Sequence, residues 1–226
     1  MNNNYTHITV LLDRSGSMHS VLNSTIEGFN KFLAEHKKEQ GLCTITLHQF
    51  DDEFETNYSM SPVKDARRLT HETYVPRGNT ALLGAIGLAM DKTGQRLKNL
   101  SESVRPGKVI FVIITDGLEN HSHVAEWAKD RTRAAINGKI SHQTEAYKWE
   151  FIYIGANQDA IGEARHMGIS AANAINYCAN DVGTQCVYDS LAENTRKYRS
   201  GERINSAWTA SDLKAQGDAA LNPQAK

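Results

Sequence analysis

Six consecutive apolar residues, Val109-Ile110-Phe111-Val112-Ile113-Ile114, limit this chain more than any other feature. A run that short and that rich in β-branched side chains reads as a strand buried on both faces. Such strands belong to parallel sheets, which need long crossover connections between neighbours. The chain supplies them, because helical and strand patterns alternate along its length. The run follows a break at Arg105-Pro106-Gly107 and ends at Thr115-Asp116-Gly117, so a carboxylate stands where strand gives way to loop.

The remaining elements fall in order around it. Residues 5–13 read as a first strand, and 23–40 as a helix with Ile26, Phe29 and Leu33 on one face, stopped by Gly41. Residues 43–50 alternate apolar and polar side chains, as a half-covered strand does. After Asp51-Asp52-Glu53, residues 54–60 form a short edge strand paired as a hairpin, and 62–76 a mixed connection with a helical turn near 64–69. A long helix is expected over 81–100 and another over 124–136, with a weaker pattern at 141–147. Strands at 149–154 and 174–177, a short helix at 159–166 and a closing helix at 181–198 complete the pattern. The fold class is therefore α/β, a mainly parallel sheet with helices on both faces. Within 226 residues there is room for one such domain, expected over 1–200, followed by a polar and partly disordered extension over 201–226.

In open parallel sheets ligands bind outside the carboxyl ends of the strands, where the strand order reverses. Two such ends carry acids. The first strand runs into Asp13-Arg14-Ser15-Gly16-Ser17, and the apolar strand into Asp116. Alternate residues of a tight loop can turn a carboxylate and two hydroxyls toward one point, a donor set suited to a hard divalent cation. Alone, the stretch reads equally as a helix N-terminus, with Ser15 or Ser17 as cap and Asp13 near the positive end of the dipole. The Gly78-Asn79-Thr80 loop, entering a helix on the same side, adds a third hydroxyl. Asp13, Ser15, Ser17, Thr80 and Asp116 are thus the candidate metal ligands, with Mg2+ the expected ion and Mn2+ or Ca2+ its alternatives.

These three segments resemble the metal-ion-dependent adhesion site of the von Willebrand factor A domain family. Its pattern is D-x-S-x-S, then a Thr in a G-N-T-type loop, then the Asp of T-D-G, and all three pieces occur here in order. The resemblance covers roughly residues 5–198. It implies a three-layer doubly wound sheet of six strands in the order 3-2-1-4-5-6, with strand 3 antiparallel. It also implies that Ser15, Ser17 and Thr80 bind the ion directly or nearly so, Asp13 and Asp116 partly through water, and that a partner's Asp or Glu completes the coordination. A shift of the last helix with affinity is a further implication. The family's small intracellular members in bacteria and their viruses often act beside ATPases of the AAA class or in stress-response operons, so the resemblance implies an AAA-type ATPase system as one partner class.

Other features point to plainer roles. His121, His123 and Glu119 suggest a second metal site but fit a solvated loop better, and Asp51, Asp52, Arg77, Asn157 and Gln158 fall in loops on the same rim. Trp127, Trp149 and Trp208 lack the interleaved basic residues of a base-stacking surface. Arg196, Lys197, Arg199 and Arg203 read as a solvated helix face. A formal net charge of −1 offers no field for nucleic acid. The first residues lack a secretory pattern, no apolar run is long enough to span a bilayer, and Cys43, Cys178 and Cys186 are odd in number. Reduced thiols and a cytoplasmic location are the expectation. The function expected is a cation-dependent protein-binding module rather than an enzyme. The alternatives are a Mg2+-dependent hydrolase or phosphoryl-transfer enzyme, against which stand the missing phosphate loop and general base, and a scaffold subunit with a vestigial site.

Overall fold

The computed structural model describes residues 1–156 and 159–202. Most of the extension expected over 201–226, with Arg203 and Trp208, and the rim residues Asn157 and Gln158, lie outside the described residues. Six strands form one sheet: β1 (Asn2–Asp13), β2 (Leu42–Phe50), β3 (Phe54–Pro62), β4 (Pro106–Thr115), β5 (Glu150–Ala156) and β6 (Ala174–Tyr177). Their order is β3-β2-β1-β4-β5-β6, every pairing parallel except that of β2 with β3. Among the described residues four α-helices lie between strands, α1 (Leu22–Lys38), α2 (Leu82–Lys98), α3 (Arg133–Tyr147) and α4 (Ala160–His166), and a fifth, α5 (Asp181–Ser200), follows β6.

Strand alternation sends side chains to two separate cores. Ile8, Val10 and Leu12 of β1, with Ile110, Val112 and Ile114 of β4, pack against Phe29, Phe32 and Leu33 of α1 and Val187 and Leu191 of α5. On the other face Leu11, Phe111, Ile113 and Phe151 meet Leu82, Ile86 and Met90 of α2 and Ile136 and Ile140 of α3. Both faces of β4 are covered, which is why its sequence has no polar alternation. Each large apolar side chain so buried contributes roughly 1.5–3 kcal/mol. The strand order reverses between β1 and β4, whose register sets Leu12 beside Ile114 and brings Asp13 level with Thr115.

One expected helix is placed differently. Residues 124–136 do not form a helix: a 3-10 turn at Glu126–Ala128 is all that precedes α3, which begins at Arg133 and continues through the weaker pattern to Tyr147. Thr132 is extended and its side chain accepts from the Ala135 amide, a helix start that competes with continuation from above. Upstream, Trp127 Nε1 donates to the Asp52 carbonyl, which fixes that segment as a loop over α2. Among the described residues no helix is long and apolar enough to cross a membrane.

Three histidines are built into the interior as neutral groups. His7, His36 and His48 are buried, and burial pushes each pKa down to about 3. At His36 the hydrogen bonds fix the tautomer: Arg199 donates to Nδ1 at 2.9 Å, so Nε2 carries the proton and faces Thr195 Oγ1 at 2.8 Å. That chain joins α1 to α5, and Arg199 is thereby a packing residue rather than part of a solvated face. Above pH 6.5 the three rings are neutral in both folded and unfolded chains. Below it the unfolded chain takes up protons that the fold refuses, so stability falls as pH drops from about 6.5 toward 3, by up to about 1.4 kcal/mol per pH unit for each ring. Urea unfolding between pH 7 and pH 4 should show this decline, with a shallower slope in His36→Gln. An equal slope in the two proteins would contradict it.

Candidate functional site

At the carboxyl ends of β1 and β4 the chain leaves the sheet at Asp13 and Thr115, and the donors predicted from sequence come together there. Asp13 is fully buried; its Oδ1 accepts from the Ser15 amide and its Oδ2 from Thr115 Oγ1, both at 2.6 Å. Ser15 stands at the N-cap position of a 3-10 helix (Gly16–Val21), yet its side chain makes no capping bond. Its hydroxyl instead lies 3.2 Å from Ser17 Oγ, and Ser17 donates to Asp116 Oδ1 at 2.6 Å. The helix-cap reading of this stretch is therefore not the one the side chains adopt.

Thr80 arrives from a different direction. Its amide donates to Asn120 Oδ1, and its carbonyl accepts from the Asn120 and His121 amides, so the loop after β4 is zipped along it. Gly117 shows how close the two segments are: a Cβ there would lie 2.9 Å from Thr80 Oγ1 and 3.7 Å from Ser17 Oγ. One point in space is thus near hydroxyls from two segments and next to Asp116 of a third. In an octahedron with ~2.1 Å bonds, adjacent donors are about 3 Å apart. The Ser15–Ser17 and Ser17–Asp116 separations bracket that value.

The electrostatics favour a cation. Burial raises the Asp13 carboxyl to about 7, opposed by the hydrogen bonds from Thr115 and Ser15, and burial likewise raises Asp116. Among the described residues neither carboxylate has a Lys, Arg or His in ion-pair contact. A divalent ion among these oxygens would supply the missing charge. No group of three His, Cys, Asp or Glu side chains positioned to hold a metal occurs among the described residues, so any ion here depends on the hydroxyls.

The loops are held partly by residues that the sequence placed on the rim without a role, Asp51, Asp52, Arg77 and Glu119, and partly by Arg14 and Tyr74, which it did not single out. Arg14, between two of the donors, is buried and bonds Asp51 through Nε at 3.0 Å and Glu55 through Nη1 at 2.6 Å. Arg77 reaches the same Asp51 Oδ2 at 2.9 Å, so Asp51 lies beneath the rim rather than on it. The Arg77 amide donates to the Arg14 carbonyl and the Gly16 amide to the Gly78 carbonyl. Gly78 sits at φ +64° with Asp52 Oδ1 where a Cβ would be, a position that only glycine fits. Tyr74 donates to the Asp13 carbonyl at 2.7 Å from below. Glu119 accepts from the His121 and Ser122 amides, from Ser122 Oγ and from the Leu83 amide, which ties the β4 loop to the start of α2. The signals for these roles were the Arg within D-x-S-x-S and the acid two residues beyond T-D-G.

No protein-family model and no curated protein matches this chain. Solved structures do. Proximal thread matrix protein 1 of the mussel byssus superposes with a TM-score of 0.59 at 12% identity, over 87% of this chain and 48% of that one. This chain thus spans about half the length of the mussel protein, another structure of which has a zinc-occupied MIDAS motif. The vWF domain of the pilus tip protein Mfa5 from Porphyromonas gingivalis gives 0.56 at 11% identity, over 86% of this chain and 96% of that one. The manganese-loaded TRAP protein of Plasmodium vivax gives 0.55 at 13%, over 82% and 73%. With this strand order, the one antiparallel edge strand and helices on both faces, the chain has the von Willebrand factor A fold.

Proposed function

We propose that this domain binds a protein partner through a divalent cation held by Ser15, Ser17 and Thr80 directly and by Asp13 and Asp116 partly through water. The observation that carries the reading is the placement of Ser17 Oγ, in contact with Ser15 and Asp116 and sharing a neighbourhood with Thr80 across Gly117. Three of the five donors are neutral hydroxyls, so a bound ion would keep Lewis acidity and accept an acidic oxygen from outside. The chain's own part is to fix the donors: Thr115 and the Ser15 amide aim Asp13, while Asn120 and His121 hold Thr80 in place. The metal-loaded neighbours support a divalent ion, with Mg2+ our choice among hard cations. An Asp or Glu side chain of the partner is the ligand that best fits the remaining position.

Binding is favoured over hydrolysis because the donors' hydrogen-bond partners are one another, the Thr115 hydroxyl, the Asn120 side chain and main chain. Among the described residues no histidine or lysine side chain bonds them to act as a general base. The three cysteines are free thiols, which supports a reducing, cytoplasmic setting, and an AAA-class ATPase system remains the partner class implied by the family resemblance.

Titration calorimetry with Mg2+ or Mn2+ should detect one site, weakened at least roughly tenfold in Thr80→Val and Asp116→Ala, which lose a donor each. Metal binding unaffected by both substitutions would overturn the assignment. Gly117→Ala should also weaken the ion about tenfold by crowding Thr80. Gly138→Ala, where the added methyl meets nothing within 4 Å, should leave it unchanged and serves as the control.

A further inference from the structure

A groove of about 590 Å3 opens between β3 and the connection that follows it, with Arg14 and Arg77 in its wall beside the metal donors. That volume is within the range of sites that enclose a ligand. Four arginines and two acids, Glu55 and Glu72, line it, and their charges are unevenly satisfied. Arg14 is engaged by Asp51 and Glu55, and Arg77 by Asp51 and Glu53. Arg67 and Arg68, both exposed, have no carboxylate in ion-pair contact among the described residues, and Arg67 gives only one long bond, 3.2 Å, to the Asn57 carbonyl. In the same wall Asn57 Oδ1 and the Tyr58 hydroxyl lack hydrogen-bond partners among the described residues. Val75, more than half exposed, adds an apolar contact.

The shape of β3 narrows the choice of occupant. Leu47 pairs with Tyr58 and His48 with Thr56, which leaves Asn57 as an extra residue, and a second register shift falls between Ile45 and Leu47. Met60, at φ +52°, lies within that second irregularity. Bulges of this kind bend an edge strand and spoil it as a template for adding another strand. A chain lying here is held by side chains, and guanidinium forks without an ion-pair partner suit acidic groups, carboxylates among them.

We infer that the groove seats an acidic stretch of the partner, with Arg67 and Arg68 binding carboxylates that neighbour, in the partner's sequence, the one that reaches the cation. This rests on the metal-bridge reading and extends it from a single anchoring acid to an acidic segment. The probe is fluorescein-labelled octaglutamate, followed by anisotropy at low salt in Mg2+ and in EDTA, with octalysine as control. Wild type should bind octaglutamate more tightly in Mg2+. The Arg67→Ala/Arg68→Ala pair should weaken binding about tenfold in both conditions, at an unchanged thermal midpoint. Arg67→Lys/Arg68→Lys should recover part of the loss. If the double variant binds as wild type while EDTA still weakens binding, the groove assignment fails and the metal bridge stands. If EDTA has no effect but the double variant loses binding, the metal bridge fails and the inference with it, leaving a separate acidic site. No binding of octaglutamate by wild type, or equal binding of octalysine, also overturns the inference.

Discussion

Two carboxylates stand at the ends of neighbouring parallel strands, and among the described residues neither has a positively charged side chain in ion-pair contact. Asp13 and Asp116 are brought together by the pairing of β1 with β4, the point where the strand order of the sheet reverses. Burial makes their charge costly, and the Asp13 carboxyl responds with a pKa near 7. Folded proteins rarely leave such a pair uncompensated without a use for it. The surrounding oxygens are hydroxyls, which lower the charge demand little but leave room for an ion.

The rest of the rim serves to keep those oxygens in position. Buried Arg14 and Asp51, with exposed Arg77, form an ion-pair cluster that joins the loops after β1, β2 and the connection before α2. Main-chain bonds from Gly16 to Gly78 and from Arg77 to Arg14 run alongside it. On the opposite side Glu119, Asn120 and Ser122 lock the loop after β4 onto the N-terminus of α2. A hydroxyl is a weak ligand, and it binds an ion well only when its position is fixed in advance. Two sets of loop contacts, one ionic and one built on amide capping, provide that fixation from both sides.

The sheet and the donor positions were legible because both follow from local pattern. The six-residue apolar run could only be a doubly covered strand, and the acids that close β1 and β4 were visible as strand ends. The three-part resemblance then supplied the strand order. What escaped was set by tertiary contact. The stretch 124–136 has helical spacing, but Trp127 is drawn to Asp52 and Thr132 caps a later helix, so only a 3-10 turn forms. Asp51 reads as a turn acid and is buried because two arginines, 37 and 26 residues away, converge on it. Arg199 reads as surface charge, and its place against His36 depends on how α5 packs on α1. Apart from the Thr132 cap, which is local, none of these partners is near in sequence, so no window of residues contains the reason.

The central claim is that oxygens from three separate segments hold a single ion. Anomalous scattering from a manganese-soaked crystal tests it most directly. The account predicts one strong peak at about 2.1–2.2 Å from the Ser15, Ser17 and Thr80 hydroxyl oxygens, with Asp13 and Asp116 beside it. A peak bound elsewhere on the molecule, or a manganese-free cluster in a crystal whose rim is open to solvent, would contradict it.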